Sequence, residues 1–181
     1  AAQHSQSLYN MFAAIPGVKV VVPSNPYDAK GLLMSAIQED NLVVFSEDKT
    51  LLGQKGNVPE EPYTIEIGKA NVTREGDDLT IVAIGKMVAV AEETAEKLAE
   101  DQVSVEVIDL RSVSPWDQET VLDSVKKTGR LIVIDESNPQ CNIAGDVASV
   151  IGDVGFDYLD GPIKKVTAPD TPVPFAANLE A

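Results

Sequence analysis

The sequence predicts an α/β protein built around a parallel sheet. Apolar residues predominate in short runs, over 79–84, 103–110 and 131–134, which is typical of strands that are buried on both faces. Between them lie segments with helical spacing of apolar residues, most clearly over 87–100. Strands that alternate with helices in this way favour a parallel sheet with right-handed crossovers.

The chain is predicted to fold as two units, over residues 1–53 and 69–181, joined by a linker over 54–68. The linker is interrupted by prolines and glycines, and it carries the acidic pair Glu60-Glu61. Proline removes a backbone donor and glycine adopts turn conformations, so neither residue extends regular structure. Connections of this composition are common between domains.

The first unit begins with a predicted helix that Ser5 or Ser7 caps and that runs to about Ile15. Leu8 and Phe12 would then lie on the same side of the helix as Ile15. A strand over 19–22, a helix over 26–39 and a strand over 42–45 are predicted to follow. Pro26 suits the first turn of its helix, where its missing N–H has no intrahelical partner.

The second unit repeats the order of strand and helix. Its predicted elements are strands over 79–84, 103–110, 131–134 and 163–167, and helices over 87–100, 114–128 and 143–152. Ser114, with Pro115 after it and Asp117 three residues later, predicts the start of the second of these helices. Gly129 predicts its end, and Glu93 and Lys97 are spaced for an ion pair on the first.

The charge of the chain argues against several classes of partner. Its 29 acidic and 14 basic residues give a net charge of -15, so nonspecific binding to nucleic acid or to an anionic membrane is not expected. No apolar run is long enough to span a bilayer. The single cysteine, Cys141, excludes an intrachain disulfide and favours a reducing compartment, which predicts a cytoplasmic location.

Common catalytic and cofactor motifs are absent from the sequence. It has no Walker loop and no dinucleotide fingerprint in the required strand context. One histidine cannot form a zinc site alone, and no Ser-His-Asp triad can be ordered from the sequence. The single histidine, His4, lies in the run His4-Ser5-Gln6-Ser7. From the residues alone, an ordinary helix-entry role is favoured for it over catalysis.

Four blocks of sequence together resemble one protein family. They are the run His4–Ser7, the run Pro-Tyr-Asp-Ala-Lys-Gly-Leu-Leu over 26–33, the signature Asp-Leu-Arg with Pro-Trp-Asp over 109–117, and the proline-rich tail over 168–175. In this order they resemble the E1 β subunit of thiamine-diphosphate-dependent 2-oxo acid and acetoin dehydrogenases, within the transketolase-like superfamily. The runs over 10–12 and 138–141 are most similar to the acetoin branch.

The resemblance implies a fold for each unit. Residues 1–53 would be the second half of a pyrimidine-binding domain of transketolase type, truncated at its N-terminus. Residues 69–181 would be a transketolase C-terminal domain, a parallel-sheet α/β unit that lacks its last helix. The C-terminal arm, with three prolines over 169–174, would be extended and would pack on a neighbouring subunit.

The resemblance also implies an activity. The parent enzyme would cleave acetoin oxidatively and transfer the acyl group to lipoamide, with thiamine diphosphate and Mg²⁺ bound in the complete α/β enzyme. The alternatives are a pyruvate or branched-chain 2-oxo acid dehydrogenase, or a noncatalytic assembly domain when the chain is isolated. A sugar-phosphate synthase is disfavoured because the sequence shows no basic cluster for phosphate. The implied partners are an E1 α subunit and a second β subunit in a heterotetramer, and a lipoyl-bearing E2 acyltransferase.

Among the site residues that the resemblance implies, His4 would be the catalytic acid or base, and Ser5 and Gln6 would only orient it. Imidazole suits this role because it both gives and takes a proton near neutral pH. Most contacts to the cofactor would come from the upstream region and from the α subunit. No residue of this chain is therefore assigned to cofactor binding.

A potassium ion is a further implication of the resemblance. Its ligands would be the Ala36 carbonyl, Glu39 and Asn41, at the end of the second helix, where free carbonyls concentrate negative potential. From the residues alone, ordinary helix termination is the favoured interpretation. Asp28 and Lys30, on the same helix, are predicted to lie on a solvated face.

The resemblance assigns Asp109 and Arg111 a structural or interfacial role, in which they pair with each other near the strand ends. From the residues alone, the run 135–139 lies at the carboxyl edge of the predicted sheet, where ligand sites gather in open α/β folds.

Overall fold

The computed structural model describes residues 4–180; residues 1–3 and Ala181, which the two predicted units include, lie outside this range. The helices are α1 Tyr9–Ala13, α2 Pro26–Gln38, α3 Met87–Glu100, α4 Gln118–Thr128, α5 Ile143–Val154 and α6 Ala177–Glu180. The strands are β1 Lys19–Val21, β2 Val43–Phe45, β3 Asn71–Arg74, β4 Leu79–Ala83, β5 Val105–Asp109, β6 Ser112–Ser114, β7 Leu131–Asp135 and β8 Lys164–Thr167. Short 3₁₀ helices cover Lys49–Leu51 and Phe156–Tyr158.

The larger sheet has the strand order β3-β5-β4-β7-β8. Strands β4, β5, β7 and β8 are parallel, as the alternation of strands and helices predicts, and Ile81 on β4 lies between Val107 and Ile132 of its two neighbours. The edge strand β3 runs antiparallel to β5, so the sheet is mixed rather than wholly parallel. Strand β3 was not predicted because its residues, Asn-Val-Thr-Arg, form no apolar run.

Helices cover both faces of this sheet. Val88, Ala91 and Ala95 of α3 pack against one face, which confirms the apolar stripe predicted for that helix. Helices α4 and α5 cover the other face, and Val121 and Ile151 are fully buried there. The predicted pair between Glu93 and Lys97 forms on the exposed side of α3 at 2.7 Å. The carboxyl ends of β4, β5 and β7 are thereby presented at one edge, toward the first part of the chain.

The smaller sheet connects the two parts of the chain. Strand β1 pairs in parallel with β2 and antiparallel with β6, so a strand that follows β5 completes a sheet made by residues of the first part. The backbone N–H of Val22 also donates to the Arg111 carbonyl at 2.8 Å. Because the parts share a sheet, their relative position is fixed by backbone hydrogen bonds.

The first helix begins later than predicted. It starts at Tyr9, its N-cap is Leu8, and no side chain caps it. Ser7 donates instead to the Glu136 carboxylate of the second part, so a long-range contact has replaced the local cap. The face predicted to be apolar is also half exposed, since Leu8, Phe12 and Ile15 are not buried, and Tyr9 is the residue that α1 buries.

The start of α4 also differs from the prediction. Ser114 belongs to β6 and is followed by a cis peptide bond to Pro115. The N-cap is Asp117, whose carboxylate accepts from the backbone N–H of Thr120 at 3.2 Å. The predicted end is confirmed, since Gly129 adopts a φ of 69°, in the left-handed region that favours glycine.

Helix α2 begins and ends as its sequence predicts. Asn25 is the N-cap, with its side-chain oxygen accepting from the backbone N–H of Asp28 at 2.9 Å, and Pro26 is the first helical residue.

Among the helices of residues 4–180, none combines the length and the apolar character needed to cross a membrane.

Candidate functional site

A cavity of about 590 Å³ opens between the two parts of the chain. The first part contributes residues 4–9, Val22 and residues 46–50. The second part contributes Ile84, Gly85, Lys86 and Glu136, which follow the carboxyl ends of β4 and β7. Its volume is in the range of small-molecule sites. Its place at the sheet edge is where open α/β folds bind ligands.

His4 lines this cavity and is exposed to it. Its backbone φ is 56°, a left-handed conformation that is uncommon for a residue other than glycine. Ser5 and Gln6, the predicted orienting neighbours of His4, line the same cavity. The structure therefore places the predicted catalytic residue at a concave polar site; its role in catalysis stays a prediction.

The segment that carries His4 is attached to the loop after β7. Tyr9 Oη donates to Asp135 Oδ1 at 2.5 Å, and Asn10 Nδ2 donates to Ser137 Oγ at 3.0 Å. Burial, followed by the charge of Asp135, raises the pKa of the Tyr9 phenol well above its usual value, so the phenol remains a donor. The predicted sheet-edge run 135–139 thus contacts the His4 segment within one chain.

Lys86 is the basic centre of the cavity wall. Its ammonium group pairs with the Glu136 carboxylate and lies 3.5 Å from Asp48 Oδ2. Burial disfavours the Lys86 charge, but Glu136 and Asp48 outweigh this effect and raise the pKa of Lys86 above its usual value. We name Ser7, Asp48, Lys86 and Glu136 the open junction, because they join the two parts of the chain beside the cavity.

Gly85 enables the chain to reach this position. It has a φ of 57°, and a Cβ at this position would lie 3.1 Å from Val22 Cγ1. Both the left-handed backbone and the close approach favour glycine. The turn brings Lys86 to the cavity directly after a buried strand.

A second polar cluster joins the two parts away from the cavity wall. Arg111 Nη2 donates to Asp28 Oδ1 at 2.6 Å, and Ser24 Oγ donates to Asp109. The backbone N–H of Arg111 donates to Asp109 Oδ1 at 2.9 Å. We name Ser24, Asp28, Asp109 and Arg111 the buried junction, because both carboxylates are at most 1% exposed.

The buried junction corrects two predictions. Asp28 does not lie on a solvated face; it is buried because its helix packs against the strand end that carries Arg111. Lys30, from the same prediction, donates to the Pro59 carbonyl and two neighbouring carbonyls of the 54–68 segment. The Arg111 guanidinium pairs with Asp28 rather than with Asp109, and only its backbone N–H contacts Asp109.

Burial raises the pKa of Asp109 to about 7, and the nearby Asp28 charge adds to this effect. Ser24 and Arg111 oppose it. A carboxyl group with this pKa exchanges its proton near neutral pH. It lies inside the junction, so its titration affects how the two parts are held together.

Two of the three predicted potassium ligands, Glu39 and Asn41, are in contact, but Lys19 also binds Glu39. Lys19 forms an ion pair with Glu39, and Asn41 Nδ2 donates to the other Glu39 oxygen at 3.2 Å. The Lys19 contact, followed by that of Asn41, lowers the pKa of Glu39. A potassium ion would compete with the Lys19 ammonium, so the site stays a prediction. Midpoints of thermal unfolding, measured in potassium chloride and in sodium chloride, test the site. Lys19→Met removes the competing ammonium group, so the difference between the two midpoints should be larger in this variant if potassium binds.

Asp48 and Lys86 were not predicted as site residues. The signal for Lys86 was available, because Gly85-Lys86 follows the apolar run of β4, and residues after such strands gather at one sheet edge. Asp48 had no such signal, since it precedes a short 3₁₀ helix that the apolar pattern does not predict.

Comparison with known proteins matches two family models to the chain. The family described as transketolase, C-terminal domain, matches residues 68–181, and the family described as transketolase, pyrimidine binding domain, matches residues 1–55. A solved structure titled "Split gene transketolase, inactive beta4 tetramer" matches with a TM-score of 0.81 and 25% identity, over 94% of this chain and 55% of the other.

Two curated relatives from Bacillus subtilis are more similar in sequence. The β subunit of acetoin:2,6-dichlorophenolindophenol oxidoreductase is 57% identical over 99% of this chain and 53% of its own length. The β subunit of the pyruvate dehydrogenase E1 component is 49% identical over 96% of this chain and 54% of its own length. The chain thus spans about half the length of the curated relatives that it matches.

Proposed function

We propose that the chain is part of a thiamine-diphosphate-dependent E1 β subunit, because it belongs to the transketolase C-terminal domain family and its residues 1–55 match the transketolase pyrimidine-binding domain. The proposed reaction is the oxidative cleavage of acetoin, with transfer of the acyl group to lipoamide or to an artificial acceptor. The observation that carries this proposal is the 57% identity to an acetoin oxidoreductase β subunit over 99% of the chain.

The described residues fit only one end of the cofactor. The cavity beside His4 offers hydroxyl, imidazole and carboxylate groups, which suit the reacting end and the substrate. Within residues 4–180, no three histidine, cysteine or carboxylate side chains gather as a metal site, and Lys86 is already paired with carboxylates. The magnesium diphosphate would therefore be held by groups outside the described residues, which the proposal assigns to the α subunit.

In this proposal His4 moves protons at the substrate oxygen. Thiamine diphosphate, when bound, supplies the carbon nucleophile and the electron sink for carbon–carbon cleavage. His4 would take the hydroxyl proton of acetoin as the bond breaks and return a proton in a later step, as a general acid and base. Ser5 and Gln6 would orient the imidazole, because they adjoin it on the same cavity wall.

The proposed partners follow from the same relatives. We infer an α subunit because the relatives are named as β subunits, and a second β subunit because the matching solved structure is titled a β4 tetramer. A lipoyl-bearing acyltransferase is inferred from the proposed transfer of the acyl group to lipoamide. Copurification of the α subunit with the full protein that carries this chain tests the first of these partners.

The test of the activity is a comparison of substrates. The full protein, assembled with its α subunit and supplied with thiamine diphosphate and Mg²⁺, should reduce 2,6-dichlorophenolindophenol faster with acetoin than with pyruvate. Turnover of pyruvate alone would move the substrate to the pyruvate dehydrogenase branch, which the 49% identity to an E1 β subunit favours as the second candidate. Turnover of neither substrate would contradict the proposed activity.

A noncatalytic assembly role is also supported by one observation, since the matching solved structure is titled an inactive β4 tetramer. Under this alternative the protein would self-associate without binding the cofactor. Calorimetric titration with thiamine diphosphate, with and without the α subunit, separates the two proposals, because only the catalytic one requires saturable binding in the assembled enzyme.

A further inference from the structure

We propose that Glu136 is a positioning residue for His4. Its carboxylate holds the segment between His4 and α1 against the C-terminal part of the chain. The inference rests on the proposed catalytic role of His4 for its functional consequence. It rests on contacts of the described residues for its structural content.

The His4 segment needs support from outside. Residues 4–8 belong to no helix or strand, and α1, which follows, has five residues and no side-chain cap. So short a helix is marginal without tertiary contacts. The direction of the His4 side chain is therefore set by what holds the segment to the rest of the protein.

The support comes from three consecutive residues after β7. Asp135 and Ser137 anchor the buried side of α1 through Tyr9 and Asn10. Between them, Glu136 receives the Ser7 hydroxyl on its Oε1 atom. Of these three residues, only Glu136 lines the cavity, so its contact acts on the part of the segment that faces the site.

Glu136 is itself fixed by charge. Its Oε2 atom accepts from Lys86, whose ammonium also lies 3.5 Å from Asp48 Oδ2. One carboxylate thus serves two donors, one on each oxygen. A hydrogen bond to an ionised acceptor is stronger than one between neutral groups. Glutamine at this position would have a single acceptor oxygen and no charge, so it cannot accept hydrogen bonds from both Ser7 and Lys86 as the carboxylate does.

Glu136→Gln is the direct test, made in the full protein assembled with its α subunit. Hydrogen exchange read by mass spectrometry should show amides over residues 4–12 exchanging about tenfold faster in the variant, since a contact to a charged group is lost. With acetoin, kcat should fall by about tenfold at an unchanged KM, because substrate binding does not depend on the His4 geometry.

Glu47→Gln is the matched control. Glu47 also lines the cavity, so its substitution removes the same charge from the same site but leaves the contact to Ser7 intact. Ser7→Ala is the partner variant. Combined with Glu136→Gln, it should add little to the effect on either readout, because both substitutions break the same contact.

The exchange measurement decides the structural claim whether or not the enzyme turns over acetoin. Unchanged exchange over 4–12 in Glu136→Gln would overturn the proposal, as would equal acceleration in Glu47→Gln. Faster exchange with a kcat equal to that of Glu47→Gln would also overturn it, because the segment would then be held without consequence for His4. If the wild-type enzyme fails with acetoin, the proposed function fails, and the exchange pattern still supports or refutes the contact.

Discussion

Two ionic networks join the same two parts of this chain, and they differ in their access to water. In the buried junction, Asp28 and Asp109 are at most 1% exposed. In the open junction, the side chain of Lys86 is 37% exposed, and its partners line the cavity. The two networks carry similar groups, so the difference lies in burial rather than in chemistry.

The difference in burial predicts different roles for the two junctions. A buried ion pair is costly to assemble and still more costly to break, because the remaining charge is left without a partner or water. An exposed pair contributes little to stability, since water replaces the lost partner. We therefore expect the buried junction to control unfolding of the protein, and the open junction to control the geometry around His4.

Replacing His4 should separate activity from stability most sharply. His4→Gln should lower kcat with acetoin by about 10²–10⁴-fold, the usual contribution of a general acid or base. The midpoint of thermal unfolding should not move, because His4 is exposed. Steady-state dye reduction and calorimetry on the same preparation check both expectations. A large loss of stability would place His4 in a structural role instead.

The buried junction should respond in the opposite way. Asp28→Asn leaves the Arg111 guanidinium, whose side chain is only 14% exposed, without its charged partner, so the free energy of unfolding should fall by about 3–5 kcal/mol. Denaturant titration followed by circular dichroism measures this change. Asp123→Asn is the control, since it breaks an exposed helix pair with Lys126 and should leave the midpoint near that of the wild type. Equal effects of the two substitutions would contradict the comparison.

Asp109 should make the buried junction sensitive to pH. Its pKa is raised to about 7 in the folded protein, above the value of about 3.9 expected when unfolded. The folded state therefore binds the Asp109 proton more tightly than the unfolded state does. This binding stabilises the folded state fully below about pH 4, and the stabilisation is lost as the pH rises to about 7. Relative to Asp109→Asn, wild-type stability should fall by on the order of 3 kcal/mol across this range.

Unfolding titrations of both proteins at several pH values give the Asp109 difference directly, because the shared titrating groups cancel. Parallel pH profiles of the wild type and Asp109→Asn would show that Asp109 does not exchange its proton in this range. Burial would then not raise the pKa of Asp109 in the folded protein.

The larger sheet was predictable because its strands carry their own signal. β4, β5 and β7 consist mostly of apolar residues, and burial on both faces requires such a composition wherever the strands lie in space. The start of α2 at Asn25 and the end of α4 at Gly129 were also predictable, because the residues at these positions mark the helix ends by themselves. The edge strand β3 and the short β6 were not predictable, since pairing with a neighbour defines them more than their composition does.

The site was predictable only in part, for the same reason. His4 was identified through its resemblance to a family motif, but its anchor at Glu136 lies 132 residues along the chain. The Ser7 hydroxyl illustrates the difficulty. Local rules make it a helix cap, whereas the folded chain offers it a charged acceptor. A charge-assisted hydrogen bond is stronger than a neutral one, and no local pattern reports that the acceptor is there.

The smallest expected effect tests the open junction by itself. Lys86→Met removes a basic residue between the two parts, as Arg111→Met would do in the buried junction. Because Lys86 is more than one-third exposed, the free energy of unfolding should fall by only about 0.5 kcal/mol. Arg111→Met should cost several times as much, since it strands Asp28 in the protein interior. Denaturant titrations of both variants at pH 8 make the comparison. If Lys86→Met destabilised the protein as much as Arg111→Met, two basic residues with different access to water would contribute equally to stability. Exposure would then not be the property that separates the two junctions.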